Sequence, residues 1–150
     1  MPANSRGVLL AIAFFVLTIV VAALWYFSSS AHPGLQALTL GANTVFVSVA
    51  DTEQKRELGL GGRSGLASNE GMLFIFPKEG TYGFWMKDMR FPVDILWLSN
   101  DGTVIYIQEK VSPDTYPHVF TPGKKARYVL ELPAGYSTEH HILVGDRTSI

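Results

Sequence analysis

Residues Gly83–Leu98 read GFWMKDMRFPVDILWL, and the way their charges are housed decides the fold. Eleven of the sixteen are Phe, Trp, Met, Val, Ile, Leu or Pro, yet Lys87, Asp88, Arg90 and Asp94 stand among them. Successive side chains on a strand point to opposite faces. In a strand over Pro92–Leu98, Val93, Ile95 and Trp97 therefore share one face, and Asp94, Leu96 and Leu98 the other. Both faces are apolar, which predicts a central strand. A carboxylate there needs a partner or a dense set of hydrogen bonds, because an isolated buried charge costs several kcal/mol. Lys87, Arg90 and Arg63 are the nearest candidates. Asp94 then reads either as half of an ion pair that pins the turn over 87–92, or as an acid on the floor of a cleft.

Working outward from this segment, the periodicity is mostly that of strands. Thr44–Ala50 (TVFVSVA) is β-branched and alternating. Asp51-Thr52-Glu53-Gln54 has the form of a capping box opening a short helix (EQKREL), which Gly59 would end as a left-handed cap. Gly71–Phe76 (GMLFIF) is an apolar strand closed by Pro77. Asn100-Asp101-Gly102 between apolar runs predicts a hairpin joining Val93–Leu98 to Thr103–Glu109. Further strands are expected at Arg127–Leu132 and His141–Val144. The fold class expected is mostly β, a barrel-like or sandwich domain with one short helix.

The N-terminal part differs in kind. Gly7–Phe27 (GVLLAIAFFVLTIVVAALWYF) holds no charge and no proline. As a helix such a run spans the roughly 30 Å hydrocarbon core of a bilayer. Arg6 precedes it and no Lys or Arg follows until Lys55, so the positive-inside bias keeps the N-terminus in the cytoplasm and sends the rest across. The organisation expected is a cytoplasmic N-terminus over 1–6, a single-pass anchor over 7–27, a tether over 28–43 and an extracytoplasmic β domain over 44–150. The alternative is a cleaved signal peptide with Ser29-Ser30-Ala31 as the small-residue cleavage site. The exported part carries 11 Lys and Arg against 13 Asp and Glu, a net charge of −2. That balance gives no footprint for nucleic acid.

Chemistry-bearing residues are few. Trp85 and Met86 precede Lys87, and an aromatic beside a cation forms a stacking platform or a core lid. Glu131 lies in RYVLEL, sharing its face with Val129, and is a second acid on an apolar strand. If Asp94 and Glu131 converged, they would form an acid pair suited to general acid–base hydrolysis. Adjacent His140 and His141 chelate poorly on a strand, and no HxH or HExxH spacing is present, so no metal and no cofactor is expected. The chain has no cysteine and no GxSxG elbow, so neither a thiol nor an elbow serine is available as a nucleophile.

Taken in order, RELGLGGR, GL, GMLFIF, FWMKDM, PVDILWL, DGTVI, YVLELPAG and VGD resemble the bacterial and archaeal family called domain of unknown function 192, from about Thr44 to Asp146. The residues that carry the resemblance are Arg56, Gly59, Leu60, Arg63, Gly71, Met72, Trp85, Met86, Lys87, Pro92, Asp94 and Glu131. It implies a small, mostly β, single domain that often follows a signal peptide or anchor, and it implies no reaction. The chain departs from the family pattern at Gly61, where Met is usual, and at Asp88-Met89, where Asn and a small residue are usual.

The function expected is a membrane-anchored extracytoplasmic module binding a small molecule or envelope component through Arg63, Trp85, Met86, Lys87, Asp94 and Trp97. The alternatives are an envelope hydrolase using Asp94 and Glu131, and a structural partner in an envelope protein complex.

Overall fold

A strand that is apolar on both faces must be flanked on both edges and covered on both sides, and the sheet is built around three such strands. The computed structural model describes residues 5–28 and 34–150. Ser5–Ser28 form one helix, α1. Within it the described side chains are those of Gly7 and residues 11–21, and no described helix is long and apolar enough to cross a membrane. The cleavage site considered at Ser29-Ser30-Ala31 lies outside the described residues.

Residues 34–150 form a unit of their own. It contains β1 (Gln36–Leu40), β2 (Asn43–Ala50), α2 (Glu53–Leu58), β3 (Glu70–Gly80), β4 (Val93–Leu98), β5 (Val104–Val111), β6 (Ala126–Pro133) and α3 (Tyr136–Glu139), with a single 3-10 turn at Pro113–Thr115. The six strands make one sheet in the order β1-β2-β3-β6-β4-β5. Only β2 and β3 run parallel, and their crossover carries α2; β3–β6, β6–β4 and β4–β5 are antiparallel.

The register sorts the side chains onto two faces. Leu96, Leu98, Leu130, Leu132 and Leu73 join Leu38, Leu40, Val45 and Val47 in one buried cluster. Val93, Ile95, Trp97, Val129, Met72 and Phe74 lie in a second, covered by loop residues such as Leu60, Phe84 and Met86. Every residue of β4 is buried. The sheet is open, in that β1 and β5 do not pair with each other. The C-terminal segment lies against both: Ser149 N–H donates to Thr39 O and Gly41 N–H to Arg147 O, while Thr148 N–H donates to Gly102 O. The barrel-like or sandwich expectation is thereby corrected to a single sheet whose unpaired edges share a terminal segment, a standard way of masking strand edges.

Asp94 is fully buried, and neither Arg63 nor Lys87 answers its charge. Its Oδ1 accepts the N–H of Lys110 at 2.8 Å and of Gly135 at 2.9 Å, and its Oδ2 accepts the N–H of Ser137 at 2.8 Å. The β4–β5 register shifts between Val93 and Ile95, so Glu109 and Lys110 bulge opposite Asp94. Lys110 takes φ +51 there, which aims its amide at the carboxylate. Gly135 (φ +87) and Ser137 belong to the first turn of α3, where a carboxylate satisfies otherwise orphaned amides. One side chain thus ties β4, the β5 bulge and α3 together.

Other elements shift from expectation for local reasons. Thr52, not Asp51, caps α2, its Oγ1 accepting Lys55 N–H. β3 runs on through Pro77 to Gly80, since its pairing to β6 breaks between Ile75 and Gly80 and asks no N–H of the proline. The segment 141–144 is a turn, begun by His141 at φ +54. β1 lies within the stretch read as a tether. α3 lacks an apolar period long enough to announce it.

Asp94→Asn keeps the shape but offers an amide group where an acceptor stood. Equilibrium unfolding in urea, followed by tryptophan fluorescence, should show a loss of about 3 kcal/mol. An unchanged midpoint would mean that these three bonds do not hold the fold.

Candidate functional site

Glu131 has the opposite fate to Asp94. In the antiparallel register Asp94 lies opposite Leu132 and Ile95 opposite Glu131. The two acids therefore project from opposite faces of the sheet, and the pair needed by the hydrolase alternative does not form. Glu131 stands in a row with Met72 of β3 on one side and Ile95 of β4 on the other. Ser48 of β2 continues the row beyond Met72. Gly71 permits this close packing: a Cβ there would sit 2.6 Å from Glu131 O and 2.8 Å from a Leu132 methyl.

Glu131 is 4 % exposed, and among the described residues its Oε2 has no hydrogen-bond partner. It faces an open cleft of about 1080 Å³. Phe74 shares the floor. One wall is α2 with its following loop, including Leu60, Gly61 and Gly62; the other is the turn carrying Phe84, Trp85, Lys87 and Asp88. The walls meet where Gly62 N–H donates to Asp88 O at 2.9 Å. A Cβ at Gly61 would lie 3.0 Å from Leu58 O, so this contact demands a residue with no side chain or a shift of the loop. Asp88 sits at φ +57, a conformation Asp and Asn tolerate better than most residues.

Aromatic rings line and back the cleft. Phe84 meets Phe74 edge-on at 4.9 Å and Trp97 at 5.9 Å. Trp85 is 50 % exposed at the rim and packs edge-on to Tyr116 at 6.0 Å. Arg56 lines the cleft, but its Nη1 donates to Asp51 O and Ile75 O, both at 2.8 Å, and its guanidinium lies over Phe76. Its role is to fasten α2 to the sheet.

Burial pushes the Glu131 carboxyl from 4.5 up to about 8, against a smaller opposing pull from the Arg63 guanidinium. Arg63 itself is exposed and reaches Ser48 Oγ at 3.4 Å, so it acts on Glu131 through its field without bonding to it.

Of the residues expected to bind a ligand, Trp85 and Lys87 line the cleft. Arg63 stands beside it. Met86 is buried in the cluster beneath, and Trp97 is buried with its Nε1–H donating to Tyr82 O at 2.8 Å. Both support the site without reaching it. Asp94 belongs to the other face. Sequence reasoning missed Phe74, Phe84 and the Leu60–Gly62 wall. The glycine run at 61–62 was the available signal, but the sequence reading used Gly61 only as a departure from the family pattern. Among the described residues, no group of three or more His, Asp or Glu is placed to hold a metal ion.

The model of the DUF192 family, described as an uncharacterized ACR, matches residues 36–150. The chain belongs to this family. No curated protein matches it. Two crystal structures are similar in fold. A suggested transcription regulator from Sinorhizobium meliloti 1021 has a TM-score of 0.74 and 31 % identity, covering 77 % of this chain and 92 % of that one. A protein of unknown function from Novosphingobium aromaticivorans DSM 12444 also has a TM-score of 0.74, with 23 % identity over 81 % of this chain and 91 % of its own.

The raised Glu131 pKa links folding to pH. The folded state holds the proton between 4.5 and about 8 while the unfolded chain releases it. The stability this protonation contributes is complete below 4.5 and falls as pH rises towards 8, by up to about 1.4 kcal/mol per unit. Glu131→Gln carries no titrating group. The difference in unfolding free energy between variant and parent should grow in the variant's favour from about pH 5 to pH 8, then level off. A difference that does not vary with pH would place Glu131 in solvent.

Proposed function

We propose that this DUF192 protein is a membrane-anchored module that holds a small molecule or envelope component in the Glu131 cleft, outside the cytoplasm. The observation that carries the binding reading is a buried carboxyl with an unpartnered oxygen facing an aromatic-lined cleft. Leaving such a group unpaired costs about 1–3 kcal/mol in a folded protein, and a ligand that bonds it recovers that free energy. Concave sites lined by apolar rings with a few convergent polar groups are the usual form of ligand pockets. The anchor reading is supported by the 21 uncharged residues of Gly7–Phe27 within the continuous helix α1, and the outward placement of the domain by Arg6. The suggested regulatory role of the Sinorhizobium protein is not carried over, since a net charge of −2 offers nothing to a phosphate backbone.

Two measurements test this. The full chain, purified gently in a mild detergent, should show by native mass spectrometry a mass excess that disappears on denaturation. The excess should fall in Trp85→Ala, which removes a rim ring and leaves the core intact. A bare chain mass in every preparation would count against a retained ligand and turn attention to an envelope protein partner. Placement is checked through the absence of cysteine: Ser64→Cys, at an exposed loop position, should react with a membrane-impermeant maleimide on intact cells. Labelling only after lysis would put the domain in the cytoplasm.

A further inference from the structure

We infer that the cleft over Glu131 is built for an organic cation, an ammonium group carried on an apolar body. The inference rests on the cleft being a ligand site and adds the chemistry of its occupant.

The charges around the cleft are unequal in availability. Glu53 and Glu57 of α2 and Asp88 of the turn line it together with Glu131. On the basic side stand Arg56 and Lys87, and the Arg56 guanidinium is already committed to two backbone carbonyls and the Phe76 ring. An anion entering the cleft would meet three exposed rim carboxylates. A neutral ligand would satisfy the Glu131 oxygen but make no use of that rim. A cation uses both, and the rings of Phe74, Phe84 and Trp85 line the cleft, Trp85 being the one exposed at its rim and open to an alkylammonium group. Met72 and Ile95, which flank Glu131, bring no competing charge. Lys87 at the rim and Arg63 beside the cleft are the opposing groups, outnumbered by the four acids that line it. Arg63 is the one felt at Glu131, yet it points its guanidinium to Ser48 Oγ and leaves Oε2 unpaired.

The exchange balances simply. The neutral Glu131 carboxyl gives its proton to solvent as the cation arrives, leaving a carboxylate paired with the ammonium. Below about pH 8 the affinity should therefore rise with pH, by as much as tenfold per unit, and level off above it. Among the described residues, no histidine lines the cleft to mimic this profile.

The test uses the full chain in a maltoside detergent and three probes of nearly equal shape: choline, its neutral isostere 3,3-dimethylbutan-1-ol and the anion 3,3-dimethylbutanoate. Binding is read by isothermal titration calorimetry, which serves equally at pH 6 and pH 9. At about pH 9 choline should bind at least about tenfold more tightly than either isostere. Its affinity should fall on going to pH 6. In Glu131→Gln the affinity at pH 9 should drop about tenfold and lose its pH dependence, and Arg63→Gln should bind choline several-fold more tightly than the parent. Equal or better binding of the alcohol or the carboxylate would overturn the cation inference while leaving a ligand cleft standing. Weakened choline binding in Arg63→Gln, or choline binding untouched by Glu131→Gln, would overturn it as well. Silence of all three probes, joined to a bare mass in the native spectrum, would remove both the cation and the cleft.

Discussion

Burial of β4 and β6 on both faces is the constraint from which the rest follows. Once both faces are covered, neither strand has a solvent side on which a polar side chain can rest. Each nevertheless carries one acid, Asp94 and Glu131, and the antiparallel register sends them to opposite faces. On Asp94's face the chain bends itself to the carboxylate. A bulge in β5 and the first turn of α3 bring three backbone amides to it, so that an acid becomes a structural tie. Such an arrangement satisfies a buried carboxyl without a counter-ion, because amides fixed by the fold replace the lost water.

On the other face the chain makes no such provision. Glu131 has only Met72 and Ile95 as row neighbours, and the loops above it part into a cleft instead of closing over it. Its carboxyl stays protonated because ionisation without a partner in that setting is the costlier state. A fold that supplies three amides to one buried acid and none to the other treats them as different kinds of residue. The first holds the architecture, and the second is left for something that arrives.

The sequence carried much of the architecture and rather less of the site. β2, α2, β4, the Ser99–Gly102 hairpin and β6 were legible because each is set by local signals: alternation, a cap, a turn dipeptide. The central place of β4 was legible because apolar residues occupied both of its faces. The open sheet was not, since the order β3-β6-β4 pairs residues thirty or more apart in sequence and leaves no short-range mark. The same blindness governed the two acids. Their strands and faces could be assigned one strand at a time, but which face of β4 lies beside which face of β6 depends on register, and register decided between an acid pair and two unrelated carboxyls. Lys87, Arg90 and Arg63 were credited to Asp94 because they are cations, whereas the donors that reach it are backbone amides, 16, 41 and 43 residues away, which no side-chain pattern marks.

The two departures from the family pattern meet at one spot. Gly61 stands where the family usually has Met, and Asp88 where it usually has Asn; a Cβ at position 61 would lie 3.5 Å from the Cβ of Asp88. Both Asn and Asp suit the positive φ at 88, so the backbone of the turn is unaffected by that exchange and only the charge changes. With no side chain at 61, the rim here has an opening beside the Asp88 carboxylate, above Phe74 and Glu131 on the floor. The floor then sets the chemistry, a buried carboxyl among rings. At the rim a single exposed charge acts mainly on selectivity and rate of approach.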